Sequence, residues 1–324
     1  MIKRVGILTS GGDSPGMNAA IRATVRAAIY YDLHIYGVMN GYEGLIEGKI
    51  KRLEKGDVGN IIQRGGTILK TSRSQRFMTV EGRHMAYETL LANDIDALVV
   101  IGGNGTLTGA AIFSEEYKIP VIGLPGTIDN DLSGTDFTIG FDTAINTAIE
   151  AVDKIRDTAD SHNRLFFVEV MGRDSGYIAM YTGIGSGAGN VLVPEVDSNI
   201  EELVTTLKLA AKRDKLFSII IVAEGSKLGG AQQVADEVLK HIRDVDAKVT
   251  VIGHLQRGGA PSCQDRVLSS RLGYAAIYGL MHGESNVMAG VVNNKVIFTP
   301  IKEAIAQQKT FTDDFIKLAK ILAI

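Results

Sequence analysis

The segment Pro125-Gly126-Thr127-Ile128-Asp129-Asn130-Asp131 places two carboxylates one residue apart, directly after the apolar run 121–124. In an extended backbone, side chains two apart share a face, so both aspartates would turn toward one cleft. One carboxylate can then accept a proton from a hydroxyl while the other holds a divalent cation. Magnesium is usually bound by one or two carboxylates together with substrate phosphates. The same residues also suit a solvated Asp-Asn-Asp turn that caps a helix predicted from about Thr143. Taken alone, the segment leaves both readings open.

Two glycine loops have the placement of phosphate sites. Gly11-Gly12-Asp13-Ser14-Pro15-Gly16 and Gly102-Gly103-Asn104-Gly105-Thr106 each lie between an apolar run and a helical pattern. Backbone N–H groups and a helix N-terminus can hold a phosphate there, although either loop alone reads equally well as a tight turn. Neither ends in Gly-Lys-Ser/Thr, so neither is a Walker A loop. Gly183-Ile-Gly185-Ser-Gly187-Ala188 fits the dinucleotide pattern, but it follows a helical stretch and precedes a strand, Asn190-Val-Leu-Val193. That context is reversed, and the segment reads as a helix end. Arg164, Arg173, His254 and Arg257 recur at the ends of later apolar runs. Singly they are surface charges or a structural histidine; together they resemble a phosphate cradle, which arginine serves through its bidentate fork. No Cys/His cluster and no Gly-x-Ser-x-Gly elbow occurs.

These residues need elements to position them. Apolar runs at 5–9, 97–101, 121–124, 165–170, 219–222 and 249–252 each lead into a glycine, and helical patterns follow, the first over 17–29. Runs that do not alternate are expected of parallel strands covered on both faces, and the strand–helix succession predicts an α/β fold. Ligands in such sheets bind beyond the carboxyl ends of the strands. The chain has 324 residues, enough for about two domains. Its 45% hydrophobic and 22% charged residues exclude wholesale disorder. Thirty-four Lys plus Arg against 37 Asp plus Glu give a net charge of -3, which supplies no footprint for a nucleic-acid partner. Cys263 is the sole cysteine, which excludes an internal disulfide and suits a reducing compartment. Runs such as 217–223 are too short to span a bilayer, and the N-terminus leads straight into a strand pattern rather than a signal peptide. The expectation is a cytoplasmic protein with no membrane partner.

Gly-Gly-Asp13, Gly-Gly-x-Gly105, Pro-Gly-Thr-Ile-Asp-Asn-Asp131, Met-Gly-Arg173 and His-x-Gln-Arg-Gly-Gly259, in this order and spacing, resemble the bacterial 6-phosphofructokinase family. The resemblance runs from Ile2 to the last helix. It implies two doubly wound parallel-sheet α/β domains with the chain crossing between them. The nucleotide-binding domain would comprise 1–140 plus 257–305, and the sugar-phosphate-binding domain 141–256 plus 306–324. The implied reaction moves the ATP γ-phosphoryl to the 1-hydroxyl of fructose 6-phosphate, with Mg²⁺, in a homotetramer. By position, Asp129 is the general base, Thr127 and Arg173 orient the moving group, and Asp131 and Asn104 face the metal. Gly11, Tyr42, Arg73, Gly103, Asn104, Gly105 and Thr106 match nucleotide positions. Met171, Gly172, Glu224, His254 and Arg257 match sugar-phosphate positions, which Arg164 and Lys248 reach from a neighbouring subunit. Arg22, Arg26, Lys55, Arg156, Arg213 and Lys215 match the cations of a site for a phosphorylated allosteric effector.

Three residues depart from the family pattern. Asn104 stands where an aspartate is usual, Lys248 where arginine is usual, and Gly189 replaces a carboxylate of the effector site. Two rival activities follow from the resemblance. A pyrophosphate-dependent relative would carry Asp at 105 and Lys at 126; both are glycine, expected on surface loops with room for a nucleoside. A weak regulatory paralogue is suggested by Asn104 alone and opposed by Asp129 and Arg173.

Overall fold

The computed structural model describes residues 2–162, 164–211, 218–242, 245–307 and 309–322. Through the first ten elements the chain runs β1 (Arg4–Thr9), α1 (Met17–Tyr30), β2 (His34–Val38), α2 (Gly41–Ile46), β3 (Ile50–Arg52), α3 (Val80–Ala92), β4 (Ala97–Gly102), α4 (Asn104–Tyr117), β5 (Val121–Pro125) and α5 (Phe141–His162). It continues through β6 (Leu165–Val170), α6 (Tyr177–Ser186), β7 (Asn190–Leu192), α7 (Ile200–Ala211), β8 (Ser218–Ala223), α8 (Ala231–Leu239) and β9 (Ala247–Val251). The last elements are α9 (Cys263–Met281), β10 (Val287–Val292), β11 (Lys295–Pro300), α10 (Ile301–Ala306) and α11 (Asp313–Leu322). Two compact units result, one of 1–127, 131–143 and 257–309, the other of 128–130, 144–256 and 310–324.

The first unit holds a seven-stranded sheet in the order β11-β10-β5-β4-β1-β2-β3. Its five central strands are parallel, while β3 and β11 close the edges antiparallel. At one edge the two-residue turn Asn293-Asn294, with φ of 48° and 62°, folds β11 straight back on β10. The unbroken apolar runs have a simple cause. Along β4, Val99 and Ile101 point into a core with Met17, Ala20 and Ile21 of α1 and Leu268 and Leu272 of α9. Leu98 and Val100 point to the other face, against Leu107 and Ala110 of α4 and Leu90 of α3. Successive residues thus enter opposite covered faces, and no polar position is left along the strand. The second unit holds four parallel strands in the order β7-β8-β6-β9, with β8 fully buried and β9 a half-exposed edge.

Beyond β5 the chain stays ordered because the first unit holds it from the side. Gly126 pairs in parallel with Ile139, the Ile139 N–H donates to the Pro125 carbonyl at 2.8 Å, and Thr138 Oγ1 donates to the Thr127 carbonyl at 2.6 Å. The strip 138–143 is in turn fixed by Asp265 of α9. One Asp265 oxygen accepts from the Gly140 N–H at 2.8 Å; the other accepts from the Thr143 N–H at 2.8 Å and from Thr143 Oγ1 at 2.5 Å. A buried carboxylate therefore caps the start of α5, where the helix dipole favours negative charge. The helix begins at Phe141, two residues earlier than the sequence pattern predicts. Ser262 caps α9 by accepting from the Asp265 N–H at 3.2 Å, so the two helix starts are locked together.

Burial pushes the Asp265 carboxyl up to about 6, more strongly than its three donors pull it down. The folded protein therefore holds this proton more tightly than the unfolded chain. The stabilising contribution is full below about 4, declines as pH rises to about 6, and is flat above. Asp265→Asn should remove this slope from melting temperatures recorded between pH 4 and 7. It should also cost about 1–3 kcal/mol near neutrality, because an amide offers one acceptor oxygen where three donors converge.

Candidate functional site

At the carboxyl ends of β1, β4 and β5 the first unit gathers its loops. Arg257 lies across the first glycine loop: Nη1 donates to the Asp13 carbonyl at 3.2 Å, and a Cβ at Gly12 would stand 2.6 Å from that nitrogen. A side chain at 12 would displace the guanidinium from this position. Thr71 Oγ1 donates to the Gly11 carbonyl and Thr106 Oγ1 to the Ser10 carbonyl, tying the first loop to its neighbours. Gly103 precedes α4 with no side-chain cap, which leaves the first N–H groups of that helix for a ligand. Tyr42 supports this loop from beneath. It is buried, stacks on Phe77 at 3.9 Å, and donates its hydroxyl to the Thr106 carbonyl at 2.7 Å. Burial pushes its phenol upward. Arg73 is exposed on the segment after Leu69.

Asn104, at the start of α4, donates Nδ2–H to Asp131 Oδ2 at 2.6 Å. Its Oδ1 is buried and has no hydrogen-bond partner among the described residues. Lys309, which the sequence reading missed, brings its ammonium into the field of Asp136 and Asp131 and donates to the Asp136 carbonyl at 2.5 Å. Burial pulls this lysine down to about 8 against those two carboxylates. Gly105 opens onto space, whereas Gly126 is buried: a Cβ there would meet Ile101 and Met17 side chains at 2.9 Å. The expectation that both glycines sit on surface loops therefore fails at Gly126, because the bridge to Ile139 draws it into the sheet.

The second unit carries Asp129, which is 4% exposed. Arg173 Nε stands 3.8 Å from its Oδ2, with the arginine side chain 57% exposed. Asn130 follows at φ 50°, a left-handed residue. The segment is not extended through 130, so alternation does not aim Asp129 and Asp131 alike, and the two belong to different compact units. The turn after β6 is fixed by two side chains from neighbouring strand ends. Glu224 Oε1 accepts from the N–H groups of Gly172 at 3.1 Å and Arg173 at 2.7 Å, and the fully buried Gln256 accepts from the Met171 N–H at 2.9 Å. These bonds hold Arg173 in its left-handed conformation, φ 51°. His254 is exposed, in the 3₁₀ turn Gly253–Arg257.

Not every candidate joins this end of the sheet. Arg164 precedes β6 and Lys248 lies near the start of β9, both on Asp246, at 2.6 and 2.8 Å. Hydrogen bonding from Lys248, then the charges of both cations, holds the Asp246 carboxyl low. A six-residue strand spans roughly 17–20 Å, so one copy of the unit keeps these cations far from Met171 and Glu224. Arg22 and Arg26 stand one turn apart on α1, and burial and then the Arg26 charge pull the Arg22 guanidinium downward. Lys55 is exposed. Arg156, in the second unit, donates Nη2 to the carbonyls of Ser186 and Gly187, closing the C-terminus of α6. Arg213 and Lys215 lie outside the described residues. At Gly189 a Cβ would make only ordinary contacts, the nearest Ser218 Oγ at 3.6 Å.

The chain matches the family model described as Phosphofructokinase over residues 4–280. It is 52% identical over 323 residues to ATP-dependent 6-phosphofructokinase 2 of Bacteroides thetaiotaomicron, covering 100% of this chain and 99% of that relative. ATP-dependent 6-phosphofructokinase 1 of Thermus thermophilus is 51% identical, with 100% of both chains covered. Among solved structures, phosphofructokinase from Saccharomyces cerevisiae matches with a TM-score of 0.90 and 36% identity over 99% of this chain. The present chain spans about half of that yeast chain, 48%.

The Asn104–Asp131 bond makes a prediction that needs no turnover. Asn104→Asp sets two carboxylates against each other, so in chelator the melting temperature should fall by about 1–2 °C, corresponding to roughly 1 kcal/mol. Millimolar magnesium should restore it, while the parent melt stays insensitive to the ion. Superimposed melts for the two proteins in both conditions would place residue 104 away from any cation site.

Proposed function

The chain belongs to the phosphofructokinase family, and on that premise we propose that it transfers the γ-phosphoryl of ATP to the 1-hydroxyl of fructose 6-phosphate, giving fructose 1,6-bisphosphate and ADP in glycolysis. The observation that carries the proposal is Asp129, a buried carboxylate 3.8 Å from the Arg173 guanidinium on the segment after β5. Phosphoryl transfer requires positioning, charge neutralisation and a group to take the hydroxyl proton. Asp129 accepts that proton as the sugar oxygen attacks. Arg173 and Thr127 hold the moving phosphoryl, Arg173 from an exposed side chain whose backbone is locked by Glu224. The N-terminus of α4, with Gly103, Asn104, Gly105 and Thr106, and the loop at Gly11 cradle the polyphosphate; Arg73 reaches it from solvent, and Tyr42 braces the loop. Met171, Gly172, Glu224, His254 and Arg257 receive the sugar phosphate. Nucleotide binding thus falls to the first unit and sugar-phosphate binding mainly to the second.

The family generally uses Mg²⁺. The residues present fit it: the buried Asn104 Oδ1 lies beside the Asp131 carboxylate, and oxygen ligands are what this ion takes. Asp131 and Asn104 would hold it together with nucleotide phosphates, since among the described residues no group of three carboxylates, histidines or cysteines stands ready for a metal. When bound, the ion neutralises charge on the phosphates. Lys309 adds a positive charge near Asp131, so the protein side of this site is only weakly anionic.

Arg164 and Lys248, at the opposite end of β6, serve the sugar phosphate of a second copy, which is the reason to propose a homotetramer. Arg22, Arg26, Lys55, Arg156, Arg213 and Lys215 are proposed to bind a small phosphorylated effector, with Gly189 weakening any ligand that requires a metal contact. ATP is favoured over pyrophosphate because Gly105 opens onto space. A cytoplasmic enzyme acting on small molecules accords with the finding that, among the described residues, no helix is long and apolar enough to cross a membrane.

Asp129→Ser should lower kcat by about two to four decades while fructose 6-phosphate still binds by calorimetry, the usual scale for removing a general base. Retention of more than about a tenth of parental kcat would move the base elsewhere. In a coupled assay ATP should support turnover and pyrophosphate should not; comparable rates with both would overturn the donor assignment. Gly105→Asp should depress ATP use without altering the melt. Gly126→Lys is no companion test, because its side chain would enter the core.

A further inference from the structure

Ser175 makes a contact for which the roles above have no use. It lies in the turn between β6 and α6, in the same compact unit as Asp129, with 6% of its surface exposed. Its Oγ donates to the main-chain carbonyl of Asp129 at 2.7 Å. The hydroxyl oxygen lies 3.4 Å from the Tyr177 N–H at the start of α6, and the Ser175 N–H closes the turn onto the Gly172 carbonyl at 2.9 Å. One turn therefore grips Asp129 at two points, the Arg173 guanidinium at its carboxylate and the Ser175 hydroxyl at its carbonyl. The turn itself is anchored, since Glu224 accepts from two of its N–H groups.

The grip bears on direction. Asn130 is fully buried and left-handed, φ 50°, a conformation that asparagine adopts more readily than most side chains and that turns the chain sharply after Asp129. A donor on the carbonyl of residue 129 restrains the 129–130 peptide plane, and, with the chain before it also held, limits the directions in which the Asp129 Cα–Cβ bond can leave the chain. A proton acceptor must be held within about 0.5 Å of its productive position, so the orientation of that bond matters to the rate.

We propose that Ser175 is a positioning residue whose hydroxyl holds the Asp129 main chain so that the carboxylate stays aimed at the attacking hydroxyl. The role rests on the assignment of Asp129 as the base. Loss of the donor should impair the chemical step while leaving the sugar and nucleotide sites, held by other side chains, intact.

The test is a double-mutant cycle in full-length protein, with Ser175→Ala, Asp129→Ser and the pair, and Ser175→Thr as the conservative variant. Ser175→Ala should lower kcat by about 10- to 100-fold and leave both KM values within about twofold, the pattern of a displaced catalytic group. Ser175→Thr, which keeps the hydroxyl, should recover most of the loss. In the Asp129→Ser background, Ser175→Ala should change kcat by less than about twofold, because no carboxylate remains to be aimed. An equal factor in both backgrounds, or a parental kcat in Ser175→Ala, would overturn the proposal. Near-parental kcat in Asp129→Ser alone would remove the base assignment and this role with it, whereas a low kcat there with additive effects removes only the Ser175 role. Should Ser175→Ala fail to fold, Ser175→Cys, close in volume and a poorer donor, enters the same cycle with the same criteria.

Discussion

Three alternate carbonyls hold the segment that carries Thr127 and Asp129 in place. Along the segment after β5, the oxygens of Pro125, Thr127 and Asp129 each accept a hydrogen bond, from the Ile139 N–H, the Thr138 hydroxyl and the Ser175 hydroxyl respectively. The first two donors belong to a strip that Asp265 clamps to the start of α5, and the third to a turn that Glu224 and Gln256 clamp to the ends of β8 and β9. Such a segment, buried from 125 to 130, would be costly with its main-chain groups unpaired. Within the first unit the strip at 138–139 satisfies Pro125 and Thr127, and within the second the turn after β6 satisfies Asp129.

Charge is distributed with the same economy. Asp129 meets Arg173, Asp131 meets the Asn104 amide and the field of Lys309, and Asp246 separates Arg164 from Lys248. The Asn104 amide gives Asp131 a hydrogen bond where a second carboxylate would repel it. Arginines that look equivalent in the sequence are not equivalent in space. Arg257 lies on a glycine loop, Arg173 beside Asp129, Arg156 on helix carbonyls and Arg164 at the far end of its strand.

The buried strands were legible because β1, β4, β5, β6 and β8 send consecutive apolar residues to two covered faces. Strands β2, β3, β10 and β11 went unread: β3 and β11 are exposed edge strands, and β2 mixes His34, Tyr36 and Gly37 into a weak pattern. The motif loops were legible because glycines and paired aspartates are local signals. Ser175, Thr138, Gln256 and Asp265 were not, since a hydroxyl, amide or carboxylate that holds a backbone group declares itself only through a partner distant in sequence, 46 residues away for Ser175. Gly126 shows the opposite error: its glycine in a loop motif suited a surface position, and the pairing with Ile139 turns it inward.

The central claim is that Asp129, aimed by its pinned main chain, takes the proton during phosphoryl transfer. Rapid-quench measurement of a single turnover, with enzyme in excess over radiolabelled ATP and saturating fructose 6-phosphate, reads that chemical step without product release. The account predicts a fast transfer in the parent and a transfer slowed by at least about a hundredfold in Asp129→Ser at full substrate occupancy. Transfer at the parental rate in that variant, with only product release delayed, would contradict it.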